Sequence, residues 1–109
     1  MNELASNHCS PQRGPALSRP DAEKLLTQLT GWTMDPGAKE IRRTLAFKDY
    51  YAGMAFVNAV AWIAHREDHH PDMAVGYSEV TVVFSTHSVG GLSENDFICA
   101  AKIDALGAA

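Results

Sequence analysis

Between Lys48 and Asp68 no proline interrupts a helical pattern, and this stretch constrains the fold more than any other. Phe56, Val60 and Ile63 mark one apolar face, and Tyr51, Ala55 and Trp62 mark a second. A helix that packs on a single layer needs only one such stripe. The breadth therefore predicts a helix that covers a sheet on one side and meets a partner subunit on the other. Pro71 helps to end it, because the residue before a proline disfavours helical backbone.

Strand patterns flank this helix. Upstream, "WTMDPGAKEIRRTLAF" reads as a hairpin turning at Asp35-Pro36-Gly37. Ile41, Arg43, Leu45 and Phe47 alternate there with Arg42, Thr44 and Ala46, and Arg43 falls among the apolar positions. Downstream, "MAVGY" and "VTVVFSTH" read as a second strand pair. Val80, Val82 and Phe84 face one way, and Thr81, Val83, Ser85 and His87 the other. Shorter helices bracket the whole. "SRPDAEKLLTQL" has Ser18 or Asp21 to cap it, Pro20 in its first turn and Leu25, Leu26 and Leu29 as its stripe. "SENDFICAAKIDAL" has Ser93 as cap and Phe97, Ile98, Ala101 and Ile103 as apolar positions. The order α-β-β-α-β-β-α predicts a single α+β domain, a four-stranded antiparallel sheet with helices packed on one face. Residues 1–17 lack periodicity and read as a flexible leader to a domain over 18–107, with His8 and Cys9 in the leader assigned no chemistry.

The 109 residues suffice for one core, and a hydrophobic share of 46% with 20% charged residues is ordinary for a globular domain. A net charge of -4 without a basic run excludes a nucleic-acid footprint. No apolar run approaches the roughly 18 residues of a membrane span. No secretion signal is readable at the N-terminus, and Cys9 and Cys99 form no CxxC pair. A cytoplasmic protein with free thiols is the expectation.

Residues 64–72, "AHREDHHPD", hold three of the five histidines. His65 and His69 would stack on one face if the helix persisted. Surface histidines satisfied by Glu67, Asp68 and Asp72 are one reading. Zinc held by His65, His69 and His87 is a second, but Arg66 stands where a zinc-binding His-Glu-x-x-His would have its acid. Metal-free acid–base work is a third, with neighbouring imidazoles dividing the tasks of donating and accepting a proton. The clustering at element ends, where sites are built, weighs against the first. Spacing alone names no substrate. Ser93-x-x-Asp96 reads as a capping box with Asp in place of the usual Glu or Gln.

The run "HREDHHPDMAVGYSEVTVVFSTHSVGGLSENDF", with "GW" at 31–32 and "FKDY" at 47–50, resembles the pterin-4a-carbinolamine dehydratase family over residues 18–106. The resemblance implies a metal-free hydro-lyase without cofactor, for which the pterin is the substrate. Such an enzyme converts 4a-hydroxytetrahydrobiopterin to quinonoid dihydropterin and water, and so returns the pterin used by an aromatic amino acid hydroxylase. It also implies a homodimer or homotetramer formed through helix packing and sheet edges. Carried over by position, His69, His70 and His87 are the catalytic histidines, with acid and base not assigned among them. Asp68, Ser85, Thr86 and Ser88 would flank the pterin, and His65 and Asp96 would support from behind. The family often has glutamate at the position of His65, which puts the role of that residue in doubt. A non-catalytic binding or assembly protein, or the dimerisation cofactor of a homeodomain transcription factor, is the alternative on this scaffold. A chain kept only for binding has no need of His69, His70, His87 and the "STH" turn together, so catalysis is the favoured expectation.

Overall fold

The computed structural model describes residues 3–107. Its elements are α1 (Glu3–Ser6), α2 (Arg19–Leu26), β1 (Thr33–Met34), β2 (Ile41–Ala46), α3 (Tyr50–Glu67), β3 (Asp72–Val75), β4 (Glu79–Phe84), a 3₁₀ turn (His87–Val89) and α4 (Glu94–Asp104). The strands form one antiparallel sheet in the order β1-β2-β4-β3. This is the expected α+β architecture, with a short additional helix at the start.

Local signals account for the boundaries. Ser18 and Asp49 cap α2 and α3, their side chains accepting from the amides of Asp21 and Ala52. The first hairpin turns where expected, because Asp35 Oδ1 accepts from the amides of Lys39 and Glu40 at 2.7 and 2.8 Å. Those amide bonds outweigh partial burial and hold the Asp35 carboxyl below its ordinary range.

Register decides what is buried. Ile41 lies opposite Phe84 and Leu45 opposite Val80, so the inward residues of both central strands meet on one face. Helices α3 and α4 pack there, with Phe56, Val60, Phe97, Ile98 and Ile103 filling the core. Arg43, out of place in the strand pattern, also points inward and meets Asp104 at 2.6 Å. Asp104 also accepts from the Trp32 indole at 2.8 Å, which ties the end of α4 to the first hairpin. Gly31 is required beside this pair: its φ is +82°, and an added Cβ would lie 2.9 Å from the Arg43 Nε.

Residues 3–17 differ from the flexible leader expected of them. Leu4 is buried against the core, α1 packs on α4, and Lys102 Nζ donates to the Ala5 carbonyl at 2.8 Å. Further on, Ser10 and the Asn95 side chain exchange two hydrogen bonds, and the Leu17 amide donates to the Leu92 carbonyl. The segment is held by partners distant in sequence, which periodicity does not report.

The outer side of α3 leaves Tyr51 and Trp62 exposed, as its second apolar face predicts, and Tyr77 is exposed beside β3, an edge strand. Among the described residues no helix is long and apolar enough to cross a membrane.

Candidate active site

The site lies where α3 ends and β4 runs out. Helix α3 does not continue through the histidine cluster. Asp68 adopts a left-handed conformation (φ 53°, ψ 44°), its amide bonds back to the His65 carbonyl, and the His69 amide bonds to the Ala64 carbonyl. This is a Schellman ending, usually made by glycine and here made by an aspartate. The reversal separates His65 from His69: His65 stays exposed on the helix, and His69 turns inward. The helix does not persist to His69, so the condition for the two to stack on one helical face is not met.

The His69 ring is held on two sides. Its Nε2 lies 2.6 Å from Asp96 Oδ1, with side-chain exposures of 11% and 0%. Its ring stacks on Phe84, centroids 5.7 Å apart and planes within 10°. A carboxylate only accepts, so Nε2 carries the proton and Nδ1 is left as the atom that can exchange one. Asp96 has partners on both oxygens. Its Oδ2 accepts from Thr86 Oγ1 at 2.8 Å and from the Ser93 amide at 3.0 Å. Since Thr86 donates to Asp96, the Ser93 hydroxyl at 2.7 Å donates to Thr86, and Ser93 Oγ in turn accepts from the Asn95 amide. The capping box read from the sequence is present, and the same carboxylate that closes it also orients His69.

The other two histidines stand at the rim. His70 is exposed, with Nδ1 3.2 Å from the Pro71 carbonyl. His87 is exposed at the start of the 3₁₀ turn, in a loop closed by paired Thr86 and Gly91. The three imidazoles line one cleft of about 230 Å³, together with Asp68, Asp72, Ser85, Thr86 and Ser88. The fold thus brings together the residues carried over by position, apart from His65, and adds Asp72 to the lining. Thr86 is buried and bonds to Asp96, whereas Ser88 donates to the Gln12 carbonyl at 3.0 Å. The sequence marks Phe84 only as an alternating strand position and Ser93 only as a cap. Their second roles appear only once β4 and α4 are side by side. Among the described residues no three His, Cys, Asp or Glu side chains form a metal-ligand group.

Behind His69 a second cavity of about 250 Å³ separates it from the N-terminal segment, with Cys9, Gln12, Glu67 and Asn95 in its wall. Glu67 is nearly buried, accepting from the Cys9 amide at 2.7 Å and lying 3.0 Å from His8 Nδ1 and 3.7 Å from Lys102 Nζ. Burial acts to raise its pKa, but those hydrogen bonds and the lysine charge together hold it below the ordinary value.

The pterin 4 alpha carbinolamine dehydratase family model matches residues 15–106. The chain belongs to that family. Among relatives bearing the provisional name pterin-4-alpha-carbinolamine dehydratase, one from Nitrosospira multiformis is 56% identical over 108 residues, covering 97% of this chain and 94% of its own. One from Stenotrophomonas maltophilia is 58% identical over 105 residues, covering 94% and 90%. Of solved structures, the Brucella melitensis transcriptional coactivator/pterin dehydratase superposes with a TM-score of 0.79 at 33% identity, covering 84% of this chain and 97% of that one. A pterin dehydratase-like RuBisCO assembly factor of the alpha-carboxysome shares the fold, with a TM-score of 0.60 at 23% identity over 71% of this chain and 89% of its own.

Proposed function

We propose that this pterin carbinolamine dehydratase family member dehydrates 4a-hydroxytetrahydrobiopterin to the quinonoid dihydropterin, without metal or bound cofactor. The observation that carries the reading is the convergence of His69, His70 and His87, from two chain segments, on one cleft, with His69 fixed by buried Asp96. In the reaction the N5 lone pair forms the C4a=N5 bond as the C4a–O bond breaks. One imidazole gives a proton to the departing hydroxyl, which leaves as water, and a second takes the proton from N5. Each positioned transfer contributes about 10²–10⁴ in rate. Asp96 sets the tautomer of His69, while the rim histidines are free to meet the ring. The substrate is the 4a-hydroxy pterin left after an aromatic amino acid hydroxylase has acted, so returning that pterin toward reuse by such a hydroxylase is the proposed role.

The test follows the ultraviolet absorbance of 4a-hydroxytetrahydrobiopterin with wild type, His70→Ala and His87→Ala, with and without a strong chelator. Chelator-resistant acceleration that falls at least tenfold in both folded variants is the expected result. No acceleration over buffer by wild type would overturn the reading. A second reading, a binding role, is favoured by the exposed aromatic face of α3. On either reading we infer a homodimer or homotetramer through this face or the β3 edge. Light scattering on wild type and Trp62→Glu tests it, with a larger mass expected for wild type and a monomer for both opposing it.

A further inference from the structure

Two thiols that the proposed reaction does not use meet behind the cleft. Cys9, half-buried in the N-terminal segment, and Cys99, fully buried on α4, are both free, and their sulfur atoms lie 3.6 Å apart. The residues are 90 apart in the chain, so only the fold makes the contact. The backbone around Cys9 is clamped: the Cys9 amide donates to Glu67 Oε1, and Ser10 exchanges bonds with the Asn95 side chain. Cys99 is fixed in α4 and also touches the His69 carbonyl, its sulfur 3.7 Å from that oxygen. A disulfide would need the sulfurs to close by roughly 1.5 Å, and with the backbone held that approach falls to the Cys9 side chain, which sits on neither helix nor strand.

We propose that Cys9 and Cys99 form an oxidisable dithiol, which a hydroperoxide converts to an intrachain disulfide fastening the N-terminal segment to α4 behind His69. Cys99 resists deprotonation, because it shares a hydrogen bond with Cys9 and is buried, which leaves the more exposed Cys9 to meet the oxidant. The Cys9 sulfur attacks one peroxide oxygen, the O–O bond breaks, and the departing oxygen takes the thiol proton and leaves as an alcohol or water. Cys9 is then a sulfenic acid. The Cys99 sulfur attacks it, the S–S bond forms, the S–O bond breaks, and the hydroxyl leaves as water with the Cys99 proton. The two sulfurs together give up two electrons and the peroxide accepts them. A dithiol reductant reverses the change by exchange.

The experiment treats the reduced full chain with hydrogen peroxide, blocks free thiols with iodoacetamide, and measures intact mass without reductant. The monomer is expected to lose two hydrogens and to take up no alkyl group. Trypsin cleavage after exposed Arg13 should leave residues 1–13 attached until dithiothreitol is added. Cys9→Ser should abolish the bridge and leave Cys99 reduced, and Cys99→Ser should let dimedone trap a sulfenic acid at Cys9. Two alkylated thiols after peroxide, a bridge between two molecules, or a Cys9 that passes to the sulfinic acid in wild type would each overturn the proposal. If Cys99→Ser does not fold, the wild-type peptide map and Cys9→Ser still decide it.

Discussion

His69 and His70 are adjacent in sequence and opposite in circumstance. The first is tucked beneath the cleft, its Nε2 on buried Asp96 and its ring on Phe84. The second stands in solvent with a neighbouring carbonyl beside one nitrogen, much as His87 stands exposed across the opening. A single left-handed residue, Asp68, ends the helix immediately before them. Buried polar groups must be satisfied, so the inner side carries a closed network through Asp96, Thr86 and Ser93. The rim carries imidazoles that the fold can do without. The inner side should therefore couple activity to stability, and the rim should separate them.

The largest effect tests the inner side. Asp96→Ala strands the Nε2–H of His69, the Thr86 hydroxyl and the Ser93 amide at once, so urea unfolding should show a loss of roughly 3–5 kcal/mol, with turnover lost as well. A loss below about 1 kcal/mol, an ordinary figure for any substitution, would end the distinction between the two sides. On the rim, His70→Ala and His87→Ala should each lower dehydratase turnover by about 10²-fold or more. Their unfolding free energies should stay within about 0.5 kcal/mol of wild type. Equal losses of stability on both sides would show that the rim is structural too.

Those expectations rest on contacts of unequal legibility in the sequence. The strands, α2 and α4 could be read because alternation, Ser18 and Ser93 act over a few residues. The breadth of α3 was readable for the same reason. Its end near Asp68 was also readable, but nothing in the composition says that Asp68 will take a conformation usual for glycine. Arg43 looked like an error in a strand because its partner, Asp104, is 61 residues away. The N-terminal segment was opaque for the same reason, its order depending on Asn95, Glu67 and Lys102. Histidines, Thr86 and Asp96 were found as site residues through a motif. That Asp96 joins His69 to Thr86 and Ser93 is a fact of tertiary structure.

Thr86→Val sharpens the inner side at one bond. The substitution keeps shape but removes the donor to Asp96 Oδ2 and the acceptor of the Ser93 hydroxyl, while leaving His69 on Oδ1. Stability should fall by about 1–3 kcal/mol in urea unfolding, less than for Asp96→Ala, because Oδ1 keeps His69 and Oδ2 keeps the Ser93 amide. A loss as large as that of Asp96→Ala would mean that the network stands or falls as a unit.

The smallest effect concerns the wall behind His69, where Glu67 holds the N-terminal segment. Its pKa in the folded chain lies below the ordinary 4.5, despite an opposing push from burial, because the Cys9 amide, His8 and Lys102 favour the carboxylate. A depressed folded pKa contributes stability that is present above the unfolded value and lost as pH falls through the folded one. Glu67→Gln keeps the shape and cannot ionise. Wild type should therefore be the more stable of the two at pH 7, and the gap should narrow as pH drops below about 4.5. Urea midpoints measured for both chains from pH 7 to pH 3 give the answer. A gap that stays constant across that range would assign the role of Glu67 to packing, and the back wall would then resemble the rim in owing nothing to a buried charge.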